Sequence, residues 1–145
     1  MKFQQKNVLI VLKGVQRADG ERDVVELSTL GKYYKLENGV DYLTYEESET
    51  TGFEGCTTIL KMEGNRRVTI TRTGDNLRTE LIVERGVRNQ CSYETDVGAL
   101  TMGICGERII NTLQEQGGKV ELHYTLDINT SLATENELYI TVKEC

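Results

Sequence analysis

Alternation of apolar and polar residues constrains the fold of this chain more than any other feature. It is clearest in residues 119–129, where every second side chain is apolar and the intervening ones are polar. Successive side chains of a β-strand point to opposite faces, so this period predicts half-buried antiparallel strands. Residues 137–143 repeat the pattern. No segment shows a sustained 3.6-residue period, and only residues 131–136 allow a single helical turn. The chain is therefore predicted to be all-β.

Short glycine-containing turns separate about ten such segments along the chain. Asn38-Gly39 predicts a two-residue hairpin turn, and Gly31 in mid-strand predicts a bend or bulge. Sequential strands joined by hairpins form an up-and-down meander, and closure removes its two aggregation-prone edges. We expect one domain, residues 1–145, folded as an antiparallel meander closed into a β-barrel of about 8–10 strands. A sandwich is the alternative, but the short turns leave little room for Greek-key crossovers.

The charge balance argues against several classes of partner. Seventeen basic and 23 acidic residues give a net charge of −6. Nucleic-acid binding depends largely on Lys and Arg neutralising phosphates, so no nucleic-acid partner is expected. An acidic membrane surface is disfavoured for the same reason. The N-terminal apolar run covers only residues 8–12, too short for a signal peptide or a membrane span. A cytoplasmic location is predicted, and the oligomeric state is left open.

Cysteine spacing predicts neither a metal site nor a disulfide framework. Cys56, Cys91, Cys105 and Cys145 form no CxxC motif, and the chain has one histidine. In a reducing compartment the first three are expected to be small apolar residues and the terminal one an exposed thiol. No metal and no cofactor are predicted.

The segment of residues 42–60 carries a strand, a turn and a second strand with four acidic residues around the turn. Glu46 and Glu47 are neighbours, so on a strand they point to opposite faces and cannot form a catalytic carboxylate pair. Glu47 shares the face of Tyr45 and is the carboxylate expected to point inward. Glu49 shares that face too, but solvated turn charge explains it better.

The inward faces predicted by alternation carry polar residues among the apolar ones. Arg72 follows Val68 and Ile70 on one face, and a buried guanidinium and a buried Glu47 would need each other. Such a pair beside tyrosines is typical of the polar anchor of a ligand pocket. A satisfied ion pair near a barrel mouth, with the tyrosines filling the core, explains the same residues somewhat better, because small barrels are filled by side chains. The candidate interior site comprises Tyr33, Tyr45, Glu47, Arg72, Tyr93 and Tyr124.

Catalytic signatures are missing from the sequence, and no catalytic residue is assigned. His123 lies on the polar face of its predicted strand, where an exposed imidazole is expected. The first hypothesis is a barrel that binds a small anionic or amphipathic ligand, with Arg72 as the anchor. The alternative is a non-enzymatic interaction module with a filled core and a contact surface near residues 51–55 or on the outer strand face. An enzyme that depends on Glu47 or His123 is a third, weaker hypothesis.

Several short motifs occur in the order found in one bacterial family. They are Lys13-Gly14-Val15-Gln16, Gly31-Lys32-Tyr33-Tyr34, Tyr45-Glu46-Glu47, Thr51-Gly52-Phe53-Glu54-Gly55, Tyr93-Glu94-Thr95 and Gly118-Lys119-Val120-Glu121. Over essentially the whole chain the sequence resembles the YwiB-like family of uncharacterised bacterial proteins, which carries a domain-of-unknown-function label. The resemblance implies a barrel of the calycin, or lipocalin-like, type. It implies no activity, cofactor or catalytic residue.

Overall fold

The computed structural model describes residues 5–36, 38–48, 54–75, 78–95, 98–128 and 131–145. Within these ranges ten β-strands follow one another, and no helix is found that is long and apolar enough to cross a membrane. The strands are β1 (Lys6–Ala18), β2 (Glu21–Lys35), β3 (Asp41–Glu46), β4 (Thr57–Glu63), β5 (Arg67–Thr73), β6 (Arg78–Glu84), β7 (Arg88–Thr95), β8 (Gly98–Asn111), β9 (Gly117–Ile128) and β10 (Ser131–Glu144).

All ten strands belong to one antiparallel sheet in the order β6-β5-β4-β3-β2-β1-β10-β9-β8-β7. Every neighbour is adjacent in sequence except β1 and β10, which pair the two ends of the chain. We call the end with the β1–β2, β3–β4, β5–β6, β7–β8 and β9–β10 connections the upper end. The lower end carries the remaining connections, the start of β1 and the end of β10.

Strands β6 and β7 are the two edges of the sheet and approach each other at the lower end. An isolated bridge joins Glu84 to Val87, and the Gly86 amide donates to the Gly106 carbonyl of β8 at 2.9 Å. A Cβ on Gly106 would lie 2.4 Å from the Glu84 carbonyl oxygen, so glycine permits this approach. No continuous ladder joins β6 to β7 among the residues described. The barrel is nearly closed, which confirms the prediction of an all-β antiparallel meander barrel.

The core fills the inner faces of the strands, as the alternation predicts. Apolar side chains at every second position of β1, β4, β5 and β9 are buried, and their neighbours face out. The largest fully buried ones are Ile10, Leu43, Leu60, Met62, Ile104, Leu122 and Ile140. Because these residues come from strands all around the barrel, the interior is packed with side chains and is not a wide channel.

On β2 and β9, burial of the inner face decreases toward the upper end. In the lower halves of their strands, Val8 and Val120 are each 1% exposed. In the upper halves, Leu27, Tyr124 and Ile128 are only partly buried, although they pack against the same core. The inner faces of these two strands are therefore partly exposed near the upper end.

Two local predictions from the sequence are wrong. Residues 131–136 form no helical turn but belong to β10, because they pair with β9. Gly31 causes no bulge, since its register with β1 and β3 is regular. Glycine at this position instead lets β2 lie close to β3, since a Cβ on Gly31 would lie 2.4 Å from the Thr44 carbonyl oxygen. The irregularities fall instead at 106/108 in β8 and 132/134 in β10.

Candidate functional site

Four inward side chains form a row across the short strands of the barrel. Tyr45 on β3 pairs with Thr58 on β4, Thr58 with Arg72 on β5, and Arg72 with Thr79 on β6. Glu47 follows the end of β3 on the face of Tyr45, and its amide donates to the Cys56 carbonyl at 2.9 Å. Directly opposed residues of antiparallel strands have side chains on the same face, so the register places these groups in contact.

Glu47 and Arg72 form an ion pair at the upper end of the barrel interior. Arg72 Nε donates to Glu47 Oε2 at 3.3 Å, and Thr58 Oγ1 donates to the same oxygen. The Glu47 side chain is 1% exposed, whereas that of Arg72 is 22% exposed. The other carboxylate oxygen, Glu47 Oε1, is buried and has no hydrogen-bond partner among the described residues. A buried carboxylate thus supports a guanidinium that still reaches solvent.

Tyr45 adds a neutral hydroxyl beside this pair. Burial raises the pKa of Tyr45 well above that of free tyrosine, and the charge of Glu47 raises it further. The phenol is therefore protonated at neutral pH. Thr79, 2% exposed, completes the row on β6. The cluster contains one anion, one cation and hydroxyl groups, a combination that suits binding of a polar group more than proton transfer.

The structure brings together only some of the residues predicted for the interior site. Tyr45, Glu47 and Arg72 lie together. Tyr33 is buried in the lower half of β2, where its hydroxyl donates to Asp41 Oδ1 at 2.8 Å. Tyr124 lies half-buried on the inner face of β9, a different wall of the barrel. Tyr93 belongs to β7, but its side chain is outside the described part of the structure.

The sequence did not predict a buried polar cluster at the lower end, formed by Tyr33, Asp41 and Asn111. Asp41 is 3% exposed, accepts from Tyr33, and also accepts from Asn111 Nδ2 at 3.0 Å. Lys35 Nζ lies 3.6 Å from the same carboxylate. Asp41 shares the alternating face of Leu43 and Tyr45, so periodicity could have identified it as an inward acid. Alternation could not identify Asn111 as an inward residue, because the irregularity in β8 shifts the period before it.

Outside the barrel, the single histidine belongs to a surface network. His123 Nε2 lies 2.8 Å from Glu121 Oε2, and the imidazole packs edge-on against Tyr139 with ring centroids 5.9 Å apart. Arg108 Nε lies 3.1 Å from the same Glu121 oxygen. The histidine is thus about a quarter exposed and engaged with neighbouring side chains. This geometry gives no support to a catalytic role.

The acidic segment of residues 42–60 divides as strand geometry requires. Glu46 is exposed and Glu47 is buried, so the two carboxylates point to opposite faces. Glu49 and residues 51–53 of the turn motif lie outside the described residues. Glu54 is exposed. The four cysteines are free thiols, buried at Cys56 and exposed at Cys145.

Two open concavities lie on the long-strand side of the barrel. One, of about 310 Å³, is lined by residues 11–13 and 26–28. The other, of about 430 Å³, is lined by residues 17–22 and 132–135. Neither touches Tyr45, Glu47 or Arg72. In the described part of the chain, no group of three His, Cys, Asp or Glu residues is placed to hold a metal ion.

Comparison with known proteins extends over nearly the whole chain. Residues 10–140 match the family described as Domain of unknown function (DUF1934). The "Uncharacterized beta-barrel protein YwiB" of Bacillus subtilis (strain 168) is 26% identical over 138 residues, covering 95% of this chain and 94% of that protein. A crystal structure of the ywiB protein from Bacillus subtilis superposes with a TM-score of 0.83 at 22% identity, covering 97% and 93% of the two chains. The structural match shows a common fold, and the family match, which spans most of the sequence, shows that the chain belongs to the DUF1934 family.

Proposed function

We propose that the upper end of the barrel binds a small amphipathic molecule that carries an acidic group. The observation that carries this proposal is the asymmetry of the Glu47–Arg72 pair. The carboxylate is 1% exposed, but the guanidinium remains 22% exposed at the mouth. A guanidinium in a fixed orientation favours carboxylate and phosphate groups, which match its fork of donors.

Glu47 positions Arg72 in this proposal and does not contact the ligand. It accepts from Arg72 Nε, the donor nearest the side-chain stem, and Thr58 holds the accepting oxygen from the other side. A side chain that is already ordered loses less conformational entropy when a ligand binds. The ion pair therefore fixes the orientation of the Arg72 guanidinium before a ligand binds.

Apolar contacts come from the half-buried inner wall at the upper end. Leu27 on β2, Tyr124, Leu126 and Ile128 on β9, and Leu138 near the middle of β10 are partly buried hydrophobic residues that pack against the core. Small-molecule sites combine such walls with a few convergent polar groups. Because the interior below is filled, the ligand lies across the mouth and does not enter an enclosed cavity. A chain of several methylene groups suits this surface better than a compact anion.

The proposal includes binding without catalysis and a cytoplasmic location. No residue of the site pairs a nucleophile with a base, and His123 lies on the outer surface. Four free thiols suit a reducing compartment. The net charge of −6 supports a small ligand, not nucleic acid or an acidic membrane.

Isothermal titration with decanoate and decanol tests the proposal, because the two probes share an alkyl chain and differ in the acidic group. Decanoate should bind the wild-type protein more tightly than decanol. Arg72→Met should weaken decanoate binding by about tenfold or more, the loss expected for one charge-assisted hydrogen bond. Arg78→Met is the matched control, since Arg78 is 68% exposed on β6 and pairs only loosely with Glu80 at 3.8 Å.

Equal affinity for decanoate and decanol, or no binding of either, would contradict the proposal. The double variant Glu47→Gln/Arg72→Met removes the guanidinium without leaving a buried unpaired carboxylate, so it separates loss of binding from loss of folding. If this double variant is folded and binds decanoate as wild type does, Arg72 is not the anchor.

A further inference from the structure

In its lower half, the seam between the two edge strands is closed by β8. The β7–β8 register ends at Arg88 and Cys105, whereas β8 continues to Asn111. These last residues of β8 pair with β9 on one side, and on the other side they meet the turns that follow β4 and β6. All other neighbouring strands of the sheet are joined by ladders. The seam is therefore the line along which the fewest backbone bonds hold the barrel together.

Backbone contacts at Gly106 fasten the seam at the first of two points. The Gly86 amide donates to the Gly106 carbonyl at 2.9 Å, and the Gly106 amide donates to the Val87 carbonyl at 3.4 Å. One side-chain bond crosses the same gap, from Asn89 Nδ2 to Glu84 Oε1 at 3.4 Å. Bonds of this type usually measure about 2.7–3.2 Å, so two of these contacts are long. This point alone holds the seam weakly.

Asn111 fastens the seam at a second point, at the lower end of the barrel. Its backbone amide donates to Asn65 Oδ1 in the β4–β5 turn at 2.7 Å, and its Nδ2 donates to Asp41 Oδ2 at 3.0 Å. In the sheet order, β3, β4 and β5 lie beyond β6, on the other side of the seam from β8. Both bonds therefore cross the seam. Asn111 Oδ1 accepts from the Leu113 amide at 3.0 Å, which fixes the orientation of the side chain.

The carboxylate that Asn111 contacts is already held in place by β2. Asp41 is 3% exposed, and the Tyr33 hydroxyl donates to its Oδ1 at 2.8 Å. Hydrogen bonds to a carboxylate are among the stronger ones in proteins, and loss of the donor would leave a buried acceptor with one partner fewer. The contact of Asn111 with Asp41 is therefore expected to be stronger than the contacts at Gly106.

We propose that the barrel opens along this seam, and that Asn111 is the clasp that keeps it closed. Opening separates β6 from β8 while the ladders that run from β6 round to β7 stay intact. Sub-global opening of this kind is typical of regions that few hydrogen bonds hold together. Release of the clasp leaves the lower half of the seam to the weaker contacts around Gly106.

Opening of the seam uncovers the apolar inner faces of β5 and β6. Val68 and Val83 are each 0% exposed in the closed barrel and are cross-strand neighbours on these two strands. Their exposure to water is unfavourable, so the closed form remains dominant. The clasp thus controls access from the side to an interior that is filled when the barrel is closed. It does not depend on the ligand proposed for the upper end, because Asn111 lies at the lower end.

Native-state hydrogen exchange of the full chain at low denaturant concentrations tests the clasp. The reporters are the backbone amides of Gly86 and Gly106, which donate across the seam. The reference is the set of amides in the β1–β10 ladder, which lies away from the seam. In the wild-type protein the seam amides should exchange through an opening with a weaker dependence on denaturant than that of the reference amides, because it exposes less surface than global unfolding.

Asn65→Ala and Asn111→Ala remove contacts that the open form has already lost. Both variants should therefore speed exchange of the seam amides and of the reference amides by the same factor. For Asn65→Ala this factor should be about two to ten, the effect of one hydrogen bond. The Asn65 side chain is exposed, so this variant keeps the fold even where Asn111→Ala does not. For Asn111→Ala the factor should be about ten or more, since Asp41 is buried.

Asn136→Ala is the matched control, because it removes a buried asparagine from an intact part of the sheet. Asn136 is 8% exposed on β10, and its Oδ1 accepts from Gln16 Nε2 on β1 at 3.2 Å. This contact persists when the seam opens and is lost on global unfolding. Asn136→Ala should therefore speed exchange of the reference amides and leave the seam amides at the wild-type rate.

Three results would overturn the clasp. In the first, the wild-type seam amides exchange only with global unfolding, at the same denaturant dependence as the reference amides. In the second, Asn65→Ala or Asn111→Ala speeds the reference amides but not the seam amides, so the contact survives the opening. In the third, Asn136→Ala speeds both sets equally, which would mean that the seam has no opening of its own.

Discussion

Glu47 and Arg72 show how a single inward charge determines what its neighbours must be. A buried carboxylate without a partner costs several kcal/mol or becomes protonated. Here Oε2 receives hydrogen bonds from Thr58 and Arg72, both supplied by register neighbours on β4 and β5. Period-2 alternation was enough to predict that both charges point inward. It could not predict that Thr58 would be the third member, because threonine is common on either face of a strand.

Removal of one partner should cost more than removal of both. We expect Arg72→Met to lower the free energy of unfolding by about 2–4 kcal/mol, because the fully buried carboxylate of Glu47 loses its cation. Adding Glu47→Gln should recover at least half of this loss, since a neutral amide still accepts from Thr58. Urea unfolding of the two single variants and the double variant measures the coupling. Arg78→Met should change stability by less than about 0.5 kcal/mol, and strict additivity would contradict a coupled pair.

Tyr45 should make stability sensitive to alkaline pH. Its pKa in the folded protein is raised above the ordinary value of 10.0, first by burial and then by Glu47. The stabilisation is therefore complete below pH 10 and is lost as pH rises from 10 toward the folded pKa, because unfolded tyrosine ionises first. The stability difference between wild type and Tyr45→Phe should fall by about 1.4 kcal/mol per pH unit in that range. Urea midpoints across this range measure it, and a constant difference would contradict the buried neutral phenol.

At the scale of strands, Gly103 and Arg88 show a constraint that sequence patterns do not reveal. Arg88 on β7 reaches over Gly103 of β8 to Asp127 of β9, with Nε donating to Oδ2 at 3.0 Å and Nη2 to Oδ1 at 2.6 Å. A Cβ on Gly103 would lie 2.2 Å from Arg88 Nη2. The bidentate pair helps to hold the edge strand β7, and it requires a bare backbone on the strand between.

Gly103→Ala should displace the Arg88 guanidinium and lower the thermal midpoint slightly, because Arg88 is 40% exposed and solvent screens its ion pair. In an Arg88→Met background the same substitution should cost little or be slightly favourable, since alanine suits a strand better than glycine. Thermal unfolding of the four proteins measures this difference. An equal cost of Gly103→Ala in both backgrounds would show that the guanidinium is not the group that excludes a side chain.

Strand existence could be predicted from the sequence more reliably than strand connections. Alternation located the strands because each buries one face, but it could not count the residues in a turn. Leu36 and Val40 are joined by a 2.9 Å hydrogen bond, so three residues, and not the expected two, lie between the last hydrogen-bonded pair of the β2–β3 hairpin. The strand at residues 131–136 was missed for a related reason: the irregularity at 132/134 breaks its period.

For the whole molecule, the sequence predicted that the sheet closes into a barrel. It did not predict that the seam, where the two edges of the sheet meet, lies between β6 and β7. Ten sequential strands favour a barrel because an open sheet leaves two edges. Which strands form the seam depends on contacts such as Gly86 with Gly106, far apart in sequence and invisible to local periodicity. The unequal strand lengths also have a consequence that local patterns hide. Strand β2 pairs with β1 over Glu21 to Tyr33 but with β3 only over Gly31 to Lys35.

The same limits apply to the candidate site. Six residues were predicted to share the interior, and three of them lie together, because alternation gives the face of a strand but not the height along the barrel. Tyr33 illustrates this: it points inward as predicted, yet it contacts Asp41 at the opposite end from Glu47. Alternation predicted polar groups inside the barrel. In the structure these polar groups form two separate clusters, one around Asp41 at the lower end and the Glu47–Arg72 ion pair at the upper end.

Native mass spectrometry of the purified protein, compared with its denatured mass, tests the central claim most directly. If the mouth binds an acidic amphipathic molecule, the native protein carries added mass that disappears on denaturation. The released compound then contains an acidic group on an apolar chain, and the folded double variant Glu47→Gln/Arg72→Met does not retain it. A native mass equal to that of the bare chain, after decanoate has also been added in excess, would contradict ligand binding at the barrel mouth.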